Sequence, residues 1–219
     1  MKRRLIDGGL CSQRRWDLSL PVADRGPDCA GTDRWQPWVD LLGWDGFVLG
    51  PVPAFGAGVY PVVRFLPEAA IRLANGIGPE HDRRLLHMWE SWPTEMSPPP
   101  GPPLAICGFV TDLPWQRALQ RLRRLVGFGG GIVIRQRCPA ALTLLEADVL
   151  GIAVGSGKPG QPEIVVAPAD RSHRRRIPGH ITRSREELLF AHALSAGCRP
   201  PAPEAHPSLS TTAQGPDST

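Results

Sequence analysis

The chain has 219 residues, 42% of them hydrophobic, which is enough to bury a real core as one domain or two small ones. Its 25 Pro and 24 Gly exclude a wholly regular structure, and its five scattered Cys, with no C-x-x-C pair, exclude a disulfide framework or a zinc knuckle. The net charge of +4 is unevenly spread: −2 over residues 1–112, +8 over 113–199 and −2 over the last 20, an asymmetry that suggests a polyanionic partner for the middle block.

Residues 1–34 mix charge, Gly and Pro with few apolar positions and are expected to form a flexible arm. The basic start MKRRLIDGGL is not followed by the apolar stretch that a secretory signal needs, so a reducing cytoplasm is the expected location. From Trp35 the chain becomes rich in aromatic and β-branched residues between Gly and Pro, a pattern of short strands and turns. Gly46–Val63 carries no charge over 18 residues, yet seven Gly and Pro interrupt it. A broken helix would leave backbone groups unsatisfied in lipid, so this stretch is expected in a buried core and no membrane is expected as a partner.

Two helices are predicted next, from Pro67 to Asn75 and from Pro79 to about Trp92, and together they make a helical hairpin that completes an aromatic-rich, irregular subdomain over 35–92. Pro93–Pro103 (PTEMSPPPGPP) can neither continue a helix nor enter a sheet interior, and is expected to be a linker.

Beyond it, a basic α/β subdomain is predicted over 104–197. Leu104–Val110 reads as a buried strand, and a helix capped by Asp112 runs to Val126 with Arg117, Arg121 and Arg124 on its outer face. Gly127–Gly131 stops that helix and leads to a strand over Ile132–Arg137, which completes a β-α-β unit. A short helix over Pro139–Ala147 and a hairpin of Val149–Val154 with Glu163–Ala167 follow, then a helix over about Ser184–Ala196. Residues 198–219 are expected to be a disordered tail. The fold class is therefore α/β: a mixed sheet with flanking helices, preceded by a small helical-hairpin subdomain.

Two glycine runs fail as nucleotide motifs. In GSGK the residue after Lys158 is Pro159 and a strand follows where a phosphate loop needs a helix; GFGGG joins helix to strand, the reverse of a dinucleotide site. The strongest local signal is Arg171–Arg185 (RSHRRRIPGHITRSR), whose arginine forks match phosphate oxygens. Arg117, Arg121, Arg124, Arg171, Arg174, Arg175, Arg176, Arg183 and Arg185 are thus the candidate phosphate or nucleic-acid contacts. Against this stands the arginine bias of the whole chain, in which only Lys2 and Lys158 among 25 basic residues are lysine. All seven Trp and the only Tyr lie at or before Trp115, so the basic block lacks aromatics for base stacking, which favours backbone contact.

A different class arises if the hairpin strands bring Asp148 and Glu163 together to hold a divalent metal. That order is loosely similar to the restriction-nuclease-like fold, whose motif is Asp, then Asp or Glu, one residue, and Lys. Val165 stands at the lysine position, which leaves the motif incomplete. The leading expectation is a non-catalytic protein that contacts nucleic acid or another polyanion and needs no cofactor. The alternatives are this metal-dependent nuclease-like enzyme and a protein-interaction module whose basic loop is merely solvated.

Overall fold

The computed structural model describes residues 32–93, 95–125, 127–158, 161–168 and 179–202. Six strands form one mixed sheet in sequence order: β1 (Phe47–Val48), β2 (Val59–Phe65), β3 (Leu104–Thr111), β4 (Gly130–Arg135), β5 (Ala153–Lys158) and β6 (Gln161–Val166). β3, β4 and β5 are parallel to one another, while β1, β2 and β6 run antiparallel to their neighbours. The α/β class and the mixed sheet are those read from the sequence. The uncharged Gly46–Val63 stretch supplies β1, a turn at Pro53–Phe55 and most of β2, and no helix among the described residues is long and apolar enough to cross a membrane.

Alternation along the strands sends side chains to two cores, as the two-residue period of a strand requires. On one face Phe47, Val63, Phe109 and Val133 are buried under α2 (Pro67–Ala74), α4 (Trp115–Leu122) and α6 (His180–Ser195). On the other, Val48, Val62, Val110, Ile132 and Ile134 meet Trp35, Trp38 and Val39, the last two on α1 (Gln36–Leu41). α1 replaces the strands and turns expected after Trp35: Pro37 sits in its first turn, where the missing N–H costs nothing.

The second helix of the expected hairpin is shorter than its pattern suggests. α3 spans Arg83–Met88, with Asp82 accepting the Arg84 N–H as N-cap, and it packs against α6. The described residues of the proline-rich segment lack regular structure, as proline dictates, but the sheet continues across it: β2 and β3, on its two sides, pair from Val59↔Thr111 to Phe65↔Leu104. α4 stops at Leu122, short of Val126, so Arg124 lies in the following turn.

α5 (Ala141–Leu150) is longer than predicted. It runs to Gly151, whose left-handed φ of 63° caps it while Ile152 N–H donates to Ala147 O at 2.9 Å. Its outer face is apolar, with Leu142 and Val149 81% and 75% exposed. The tail expected from residue 198 does not begin there, because Cys198 is fully buried in the core; residues 203–219, like the arm over 1–31, lie outside the described residues.

Candidate functional site: an arginine-lined sheet edge and its cleft

The exit of β3 and the entry of β2 lie at the carboxyl ends of the three parallel strands, and local hydrogen bonds hold them together. Buried Thr111 donates from Oγ1 to Gly58 O at 2.7 Å and accepts the Leu113 N–H at 3.3 Å, while the Leu113 side chain packs on Gly58. This fastens the 111–114 loop to the 53–58 turn.

That turn gathers two of the sequence-predicted arginines. Arg185, from the second turn of α6, donates to Ala54 O at 3.2 Å and stacks 5.1 Å from the centre of the Phe55 ring. Arg121, from α4, lies over Gly56: a methyl group placed there would stand 3.1 Å from the arginine Cδ, Nε and Cζ. Two arginines far apart in sequence thus reach three consecutive residues. Arg117, Arg121 and Arg124 are all exposed, opposite buried Ala118, Leu119 and Leu122, as the helical period predicts.

Arg183 is placed differently. Its guanidinium is largely buried, donates to Pro100 O (2.9 Å), Gly101 O (2.6 Å) and Glu187 Oε1 (2.9 Å), and stacks on Trp89. Burial pushes its pKa below the ordinary arginine value, with the Glu187 carboxylate opposing that shift. Its donors are spent on protein acceptors. Arg171, Arg174, Arg175 and Arg176 lie outside the described residues.

The two carboxylates fall on a helix and a strand instead of on two paired strands. Asp148 is exposed on α5 instead of entering a hairpin strand, because Gly151 ends that helix one turn later than expected; Glu163 is exposed on β6, opposite Ser156. No cluster of three His, Cys, Asp or Glu side chains able to hold a metal occurs among the described residues. Cys138 is exposed, with its Sγ 3.6 Å from Pro139 O.

Sequence reading misses a cleft of about 520 Å³ at the same sheet edge. Asp112 follows β3, Arg135 ends β4 and Arg137 lies just beyond it, Gly157 comes from β5, and Arg34 and Trp35 from the 32–35 turn close the side. Arg34 stacks 4.2 Å from the centre of the Trp35 ring, donates to Tyr60 Oη at 3.2 Å and stands 3.9 Å from Asp112. Arg135 donates to Leu113 O at 3.4 Å, and Arg137 is exposed. Gly157 adopts φ +113°, where a side chain would strike Gln161 O, so only glycine suits this wall. The signal that could find the cleft is positional: charged residues at the ends of predicted parallel strands, where open α/β sheets form their crevices.

Comparison with protein-family models, with curated proteins and with solved structures finds no match to this chain.

Proposed function

We propose that this chain is a non-catalytic binding protein for a phosphate-bearing polymer, with nucleic acid the class that fits, and that arginines along the carboxyl edge of the sheet make the contact. The observation that carries this reading is the convergence of Arg121 and Arg185 on the Ala54–Gly56 turn. Arg117 and Arg124 add exposed charge from the α4 segment, and the sequence run containing Arg171, Arg174, Arg175 and Arg176 leads directly into α6. Guanidinium groups hold their charge at all physiological pH values and bind phosphate oxygens bidentately. All seven Trp lie at or before Trp115, which favours contact with the sugar-phosphate backbone over base stacking.

The reading is tested with labelled single-stranded and duplex DNA and RNA in a fluorescence-anisotropy titration. Replacing Arg121 and Arg185 together by Ala is expected to weaken binding about tenfold. It should also lower the slope of log K against log salt by about two, one for each phosphate that the variant no longer neutralises. Arg64→Ala, at the far end of β2 and ion-paired with Asp45 at 2.7 Å, should change neither quantity. Binding that is unaffected by the double substitution, or no binding at all, overturns the reading and favours a solvated basic surface. Magnesium-dependent cleavage abolished by Asp148→Ala would instead support the nuclease-like alternative.

A further inference from the structure

We propose that the cleft at the carboxyl ends of β3, β4 and β5 binds a small phosphate ester that carries hydroxyl groups, with Arg135 and Arg137 holding the phosphate and Asp112 accepting from a hydroxyl. This site is separate from the polymer contact and does not depend on it.

The size is right for such a ligand. Small-molecule sites enclose roughly 300–1,000 Å³, and this cleft is about 520 Å³. Its position is also where open α/β sheets bind ligands, outside the carboxyl ends of the parallel strands, since loops there are held by the sheet yet free to vary.

Charge selects the ligand class. Arg34 donates to the Tyr60 hydroxyl and stands 3.9 Å from Asp112, whose charge it offsets. Arg135 and Arg137 remain: the first has one long hydrogen bond to Leu113 O, and the second has no protein partner among the described residues. Two uncompensated guanidiniums match the charge of about −1.5 to −2 on a phosphate monoester at neutral pH better than the single charge of a carboxylate. Asp112, the one acidic group among the described residues that line the cleft, would repel a bare anion placed beside it but accepts hydrogen bonds from a hydroxyl. A phosphate at one end and hydroxyl groups at the other satisfy both ends.

The wall supplies a second asymmetry. Trp35 and Trp38 both line the cleft with their indole N–H groups buried, so this wall offers a ligand no donor and the donors come from the arginine side.

Isothermal titration of the full chain with inorganic phosphate, a pentose monophosphate, a nucleoside monophosphate and the unphosphorylated pentose tests this. The two phosphate esters should bind, inorganic phosphate about tenfold more weakly, and the free sugar not detectably. A preference for the nucleotide would identify it as the source of the ester, and equal affinities would place recognition in the sugar phosphate alone. Arg137→Glu should abolish binding with little change in melting temperature, because Arg137 is exposed and makes no hydrogen bond or ion pair with a described residue; Arg135→Ala should weaken binding at least tenfold. Asp112→Asn should weaken the esters several-fold yet leave or improve inorganic phosphate binding. Arg121→Ala with Arg185→Ala should leave all these affinities unchanged, which separates this site from the polymer contact. Absence of ester binding at millimolar concentration, or binding indifferent to Arg137→Glu, overturns the proposal.

Discussion

Trp44 lies flat on two glycines, Gly108 of β3 and Gly130 of β4, which are register partners in adjacent strands. A methyl group on Gly130 would stand 2.6 Å from Trp44 Cζ2, well inside van der Waals contact, and one on Gly108 would collide with the same ring. Gly130, one glycine of the GFGGG run that reads in sequence as a tight turn, therefore also serves with Gly108 as a bed for an indole. Gly155 does the same for Trp38, whose Cδ1 lies 2.7 Å from where a Cβ would be. Gly130→Ala is expected to cost about 1–3 kcal/mol of stability through overpacking. The penalty should largely vanish in a Trp44→Ala background, since the coupling between contacting residues is what a double-mutant cycle reads. Chemical denaturation of the four proteins in that cycle measures this, and an equal cost in both backgrounds would refute the role given to Trp44.

At the scale of elements, α6 ties the crossover between β2 and β3 to the sheet. Its Glu187 is 1% exposed and accepts two bonds from the equally buried Arg72 of α2, at 2.7 and 3.0 Å, as well as the Glu80 N–H at 2.9 Å. Arg72 also donates to Gly78 O at 2.6 Å, and Arg183 brings in the Pro100 and Gly101 carbonyls of the proline-rich segment. Removing one partner of a buried ion pair strands the other charge, so Glu187→Ala should destabilise the fold by about 3–5 kcal/mol, with Glu187→Gln less damaging because the amide oxygen still accepts hydrogen bonds. Thermal and urea unfolding check this; equal stability of Glu187→Ala and wild type would contradict it.

This network also shows what a sequence hides. The presence of a hairpin near β5 and β6 and the buried face of α4 follow from local pattern and are legible in the chain, whereas the hairpin's first strand lies further on, at Ala153–Lys158, than the expected Val149–Val154, and the strand order has no local signal. The partnership of Arg72 with Glu187, 115 positions apart, leaves no local trace. It is also why Arg183, which reads as one more cation in a basic run, turns inward. Local pattern misplaces Asp148 for a related reason: apolar residues at Val149 and Leu150 fit a strand or a helix end equally, and only Gly151 in its left-handed conformation decides between them.

For the whole molecule, one edge of the sheet carries the functional argument. Leu113 packs on Gly58, Arg121 covers Gly56 and Arg185 bonds to Ala54 O, so contacts on one turn hold these two arginines together. Part of the regional charge of +8 over residues 113–199 is thereby given a place in the fold, although Arg183 is withdrawn from it and Arg171, Arg174, Arg175 and Arg176 lie outside the described residues. Arginine positions that are unpaired and close together act as a unit on a phosphate chain, whereas scattered ones bind only weakly and without register. The most direct measurement is the affinity of the full chain for a short duplex and a single strand between 50 and 200 mM salt, roughly the range over which counterion release is steep. A linear fall of log K with log salt, with a slope of at least about −3, is expected for contacts along this edge. Affinity that is flat with salt, or undetectable at the lowest ionic strength, would contradict the assignment of the arginine edge to a phosphate-bearing polymer.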